Sequence, residues 1–180
     1  MKKITVILMA LFLTTCSGED DSTDNVFDAF IQADINGETI RFNFGENSLG
    51  AALTTSSFGS TMIYGFGIGA STDGVSNNTE TTSIGLALIL EDPDAIATGA
   101  TFNYPTDLLS GTYTFENENS SVSIDGDETI SATLTINTLD LEEEKMSGTF
   151  SYVTRDSNND ITYTVSNGMF SNIPYWINID

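Results

Sequence analysis

The side chains able to do chemistry here are narrow in kind. The 180 residues contain 26 Asp and Glu, five Lys and Arg, one cysteine and no histidine. Without imidazole there is no Ser-His-Asp or Cys-His relay and no zinc site built on His, and the usual base near neutral pH is missing. Carboxylate-only chemistry remains, as in glycoside hydrolysis, which needs two acids about 5–9.5 Å apart across a cleft. Twenty-six acids nominate no particular pair, so the expectation is a protein that is not an enzyme, with a carboxylate-based glycoside hydrolase as the catalytic alternative.

Three further groups of residues invite a ligand. Asp156, Asn158 and Asp160 place oxygens at positions 1, 3 and 5 of a calcium-loop pattern. Position 6 is Ile161 where that loop needs Gly, and position 12 is Asn167 where it needs Glu, so an EF-hand is excluded. What is left is a weak calcium candidate against the simpler reading of a polar turn between strands. Gly65, Gly67 and Gly69 alternate with Phe66 and Ile68, which strips one face of a strand of side chains and lets a sheet, ring or ligand approach the backbone. Tyr175 and Trp176 offer aromatic faces on which a sugar could stack. These five residues form the candidate ligand surface, and no cofactor is expected.

The lone Cys16 stands at a sharp junction. Lys2 and Lys3 precede ITVILMALFL, an apolar run of signal-peptide length and too short to cross ~30 Å of hydrocarbon at 1.5 Å per residue. After the cysteine comes SGEDDSTDN, polar and acidic until Val26. Leu13, Thr14, Thr15 and Cys16 resemble a bacterial lipobox, with Thr15 standing where Gly, Ala or Ser is usual. The resemblance implies cleavage before Cys16 and acylation of its sulfur and amino group. Two or more acyl chains hold a protein on a bilayer stably, at about 0.8 kcal/mol per buried methylene. Glu19, Asp20 and Asp21 resemble the acid-rich export signal of surface-displayed lipoproteins of the Bacteroidota, and Asp21-Ser22-Thr23 resembles their short O-glycosylation motif. That implies an outer-membrane, surface-exposed protein, with a periplasm-facing lipoprotein as the alternative.

The division expected is a signal peptide over 1–15, a lipidated cysteine and acidic tether over 16–26, and one β domain over 27–180. Fully extended, ten tether residues reach about 33–36 Å, well beyond a Debye length of about 8 Å. After residue 15 the only cations are Arg41, Lys145 and Arg155. Such a surface repels phosphate backbones, which excludes nucleic acid as a partner.

From Phe27 onward the apolar residues alternate. Asn36-Gly37 divides two alternating runs, the signal of a type I′ hairpin with Ile40, Phe42 and Phe44 on one face of its second arm. Met62, Tyr64, Phe66 and Ile68 repeat the pattern, as do Ile84 to Leu90, Ile130 to Ile136, Phe150 with Tyr152, and Ile161 to Val165. LDLEEEKM could make one turn of helix; Glu91-Asp92-Pro93-Asp94 and Asp125-Gly126-Asp127-Glu128 read as turns. The fold expected is all-β, a single antiparallel sandwich or partly closed barrel of about 8–11 strands. Gly148-Thr149-Phe150, Asn167-Gly168, Phe170 and Ile173-Pro174-Tyr175 resemble the closing strands of small uncharacterised β-rich lipoproteins of the same bacterial group, a resemblance of fold and lineage that carries no active site.

Two functions follow as expectations. The first is a membrane-anchored binding or accessory module for a glycan, peptide or envelope protein. The second is a lipocalin-like carrier of a small hydrophobic ligand, whose cavity of several hundred Å³ would be lined by residues such as Phe42, Phe66 and Leu88.

Overall fold

In the computed structural model, residues 28–58, 61–72, 80–124, 126–157 and 159–179 are described. The lipobox, Cys16 and the acidic stretch after it lie outside them, as do Asp125 and Asn158. The described chain is all-β. Eleven strands run β1 (Phe30–Ile35), β2 (Glu38–Asn43), β3 (Ser48–Phe58), β4 (Thr61–Ser71), β5 (Thr81–Leu90), β6 (Thr101–Tyr104), β7 (Leu108–Glu116), β8 (Ser121–Ile124), β9 (Thr129–Asp140), β10 (Lys145–Asp156) and β11 (Ile161–Asn178). They pair in the order β6-β9-β10-β11-β3-β4-β5-β7-β8, with β1 on β11 and β2 on β1. The sheet curls so that β7 comes to face β9 and β10 across the core, making a partly closed sandwich.

The turns form where residue chemistry permits them. Asn36 (φ 51°) and Gly37 (φ 90°) both take the positive φ of a type I′ turn, closing β1 on β2 with Ile35 opposite Glu38. Asn36 also extends the ladder: its N–H donates to the Thr164 carbonyl at 2.8 Å, and its Oδ1 accepts the Thr164 N–H at 2.9 Å. LDLEEEKM is not helical: its ends belong to β9 and β10, and residues 141–144 form the hairpin turn between them. Prolines and glycines place short 3-10 turns at Pro93–Ala95 and Gly126–Glu128.

Strand β11 joins the two layers. Its first half lies between β10 and β1, both antiparallel, and its last residues run parallel to β3, with Tyr175 opposite Ala51 and Asn178 opposite Thr54. The change of partner follows two register shifts, one near Asn167 (φ 51°) and one near Asn172 (φ 49°). An extra residue in one strand of a pair bends it and increases its twist, and Asn tolerates the left-handed backbone better than most residues.

Alternation delivers the core. Phe42, Phe66, Leu134, Ile136, Tyr152, Phe170 and Ile173 are all fully buried in one continuous apolar cluster. Burying each such side chain contributes about 1.5–3 kcal/mol. Gly111 lets the layers approach, because a Cβ there would collide with the Tyr152 ring, whose hydroxyl donates to the Thr112 carbonyl at 2.5 Å.

Ile130 departs from the alternation expected for β9. Thr154 pairs with Thr129 and Val153 with Ser131, so the register skips Ile130 and turns it outward, 53% exposed. Thr129 takes the inward place; its hydroxyl accepts the Gly111 N–H at 2.9 Å and donates to the Gly126 carbonyl at 2.7 Å.

Candidate functional site

Register, more than sequence proximity, assembles the small residues. Gly50 lies opposite Gly69, which lies opposite Gly85; Ala52 lies opposite Gly67, which lies opposite Ala87. Since Leu53, Phe66, Ile68, Leu86 and Leu88 point inward, these residues share the outer face of β3, β4 and β5. The result is a floor three strands wide with almost no side chains, about 10 Å between its outer strand axes. The rows on either side carry Ser48, Ser71 and Ser83 at one end and Thr54, Gly65 and Ile89 at the other, none of them ionisable. The hydroxyls bond within the face: Ser83 donates to Ser71 at 2.8 Å and Thr54 to the Gly65 carbonyl at 3.3 Å.

Trp176 walls this floor. It lies opposite Ala52 in the parallel pair, and its indole is laid across Gly50, where any Cβ would collide with the ring. Half of the side chain remains open to solvent, at 47% exposure. Gly50, Gly65 and Gly67 are buried, while Ala52, Gly69, Gly85 and Ala87 are half-buried; the half-open ring beside this uncharged floor is what offers a ligand a stacking face.

The structure separates the expected aromatic platform. Neighbouring residues on a strand point to opposite faces, so Tyr175 enters the core while Trp176 faces out. The Tyr175 ring packs 6.2 Å from that of Phe66, and burial pushes its hydroxyl pKa up to about 12. Tyr175 is therefore a core residue, and Trp176 alone joins Gly65, Gly67 and Gly69 on the outer face. Gly50, Ala52, Gly85 and Ala87 complete the floor. Their signal in the sequence is small residues at period two, which becomes a surface only when the strands are put in register.

At the calcium candidate, Asp156 and Asp160 flank the turn from β10 to β11. The buried Asp156 carboxylate accepts the Asn159 N–H at 3.2 Å and its Nδ2 at 2.7 Å. Asp160 pairs with Arg155. The Glu128 carboxylate reaches across to accept the Ser157 N–H at 3.0 Å as well as the Ser157 hydroxyl. These carboxylates hold a polar turn in shape; Asn158 lies outside the described residues. Among the described residues no three Asp, Glu, Cys or His side chains gather as metal ligands would.

Phe42, Phe66 and Leu88, named for the lining of a carrier cavity, are 0%, 1% and 1% exposed. Side chains lining a chamber of several hundred Å³ would present surface to it. Between Ile31, Ile68, Ile84, Leu86 and Phe150 the layers leave about 10 Å³, room for roughly one water.

One polar cluster had no signal in the sequence. Arg41 lies over the Phe30 ring at 3.5 Å from its centroid, pairs with Asp28 at 3.4 Å, and donates to Asn43 at 2.8 Å. Comparison with protein-family models, with curated proteins and with solved structures finds no match to the chain.

Proposed function

We propose that the protein is a lipid-anchored lipoprotein of the outer membrane, displayed on the cell surface, whose β domain is a binding or accessory module for a glycan, peptide or envelope protein. The anchor rests on Leu13, Thr14, Thr15 and Cys16, and the display on Glu19, Asp20 and Asp21. One observation carries the binding reading: the half-exposed Trp176 indole laid across Gly50, at the border of an uncharged floor in a chain of net charge −21. Such a face neither repels a neutral ligand nor costs much desolvation to cover, because few charged groups lose water there. The filled interior around Phe42, Phe66 and Leu88 favours a surface ligand over an enclosed one.

The test is a binding panel of neutral and charged glycans, extended peptides and envelope proteins against the purified protein and its Trp176→Ala variant. The reading expects at least one partner whose affinity falls by about tenfold in the variant, the loss of roughly 1.4 kcal/mol of stacking. Turnover of a panel member without a stable complex would replace the binding module with an enzyme.

A further inference from the structure

The edges of the sheet differ in how they are finished. An edge strand exposes unpaired N–H and C=O groups that template another strand unless something blocks them. On β2, the Asn43 N–H donates to Asn47 Oδ1 at 2.9 Å and its carbonyl accepts the Asn47 N–H at 2.9 Å, so the following loop closes that end. On β6, the Asn103 N–H donates to Asp107 Oδ2 at 2.6 Å and its carbonyl accepts the Asp107 N–H at 2.8 Å. Strand β8 is only four residues long, and the 3-10 turn after it packs back beside Ser110.

The end of β11 has no such closure among the described residues. The Tyr175 N–H donates to the Glu144 carbonyl at 2.8 Å on the side away from β3. Backbone groups alternate sides along a strand, so the Ile177 N–H and carbonyl and the Ile179 N–H point to that same side, where no described strand pairs with them. The side chains there are apolar and open: Trp176 is 47% exposed, Ile177 53% and Ile179 40%.

We propose that residues 176–179 form a docking edge that takes an extended, basic segment of a partner protein as an added strand. The proposal rests on the surface-binding reading and names a partner class for it. Charge complementarity sets the sign of the partner. The hairpin whose Glu144 carbonyl holds Tyr175 carries Glu142, Glu143 and Glu144 at the start of the open edge, offset only by Lys145 beside Glu143 at 3.3 Å. A second copy would bring its own acidic hairpin and a net charge of −21; a Lys- or Arg-bearing strand would meet the carboxylates while its alternate apolar residues cover Ile177 and Ile179. Strand addition of this kind takes affinity from main-chain bonds and specificity from alternate side chains.

The probe is a lysine-flanked octapeptide of alternating valine and threonine, with two controls: the same peptide N-methylated at alternate residues, and a glutamate-flanked version. Amide shifts and hydrogen exchange of the full chain are followed by NMR. The lysine peptide is expected to perturb and protect the Ile177 and Ile179 amides, with each control binding about tenfold more weakly. Ile177→Pro, which removes an N–H facing the open side and leaves those of Trp176 and Asn178 facing β3, should weaken the lysine peptide to a similar degree, and Glu142→Lys should weaken it and flatten its salt dependence. If Ile177→Pro does not fold, the N-methylated control on the unaltered chain decides. Equal binding of methylated and unmethylated peptides, no binding at low salt, or binding that leaves the two amides unchanged overturns the proposal. A glycan partner from the panel with no effect at Ile177 overturns the edge and leaves the surface-binding reading standing.

Discussion

At the scale of single residues, one buried polar group among the described residues goes unused. The Thr154 hydroxyl is fully buried and has no hydrogen-bond partner among the described residues. An unpaired buried hydroxyl costs about 1–3 kcal/mol of desolvation, and valine fills nearly the same shape without it. Thr154→Val is therefore expected to raise stability by about 1 kcal/mol in urea unfolding; a loss of stability would mean the hydroxyl has a partner. The Thr129 hydroxyl, whose three contacts tie β7 to the turn before β9, is the contrasting case. Neither role is legible in the sequence. Both are threonines in an alternating run, and only the skipped register at Ile130 turns Thr129 inward.

At the scale of elements, one close contact between the layers and one where the first hairpin meets β11 can each be tested by a single substitution. Gly111 faces the Tyr152 ring with no room for a Cβ. Gly111→Ala should cost about 1–3 kcal/mol of unfolding free energy, the usual range for overpacking a filled core. A neutral substitution would mean that the layers slide freely. At the joint, the Asp34 carboxylate accepts the Asn167 amide at 2.7 Å and the Thr39 hydroxyl at 2.6 Å, and these bonds, Asn167 first, hold its pKa below the usual carboxylate value. Its contribution to stability is present above the unfolded carboxylate pKa of about 3.9 and is lost as pH falls through the lower folded value. An NMR titration should show Asp34 protonating later than exposed carboxylates, and Asn167→Ala should return it toward them. The strands themselves were largely readable: the hairpin from Asn36-Gly37, and the core faces from alternation. The bends of β11 at Asn167 and Asn172 were not, because a bulge is set by what lies across the ladder. The split of Tyr175 from Trp176 is of the other kind, since adjacency in a strand by itself implies opposite faces.

For the whole molecule, charge is kept off the outer face of β3, β4 and β5 and gathers at its margins, the acidic hairpin beside the end of β11 included. Among the described residues the acids fall mainly in turns and at strand ends, such as Glu91, Asp92, Asp94, Asp140, Glu142 and Glu143, while the rows of β3, β4 and β5 around Trp176 carry none. A net charge of −21 strains the compact state by self-repulsion, so raising salt from about 0.01 M to 0.15 M, which shortens the Debye length from about 30 Å to about 8 Å, should raise the melting temperature. A fall would mean that the few ion pairs outweigh the repulsion. The floor was half legible: Gly65, Gly67 and Gly69 announced a bare strand, but the neighbours that widen it come from register.

Trp176 is the only tryptophan in the chain, so its emission reports on the proposed face alone. The decisive measurement is a titration of that fluorescence with the partner found by the binding panel. A saturable change in intensity or wavelength, with the same midpoint as binding measured independently, is the predicted result. Saturable binding that leaves the emission of Trp176 unchanged would place recognition elsewhere and contradict the central claim.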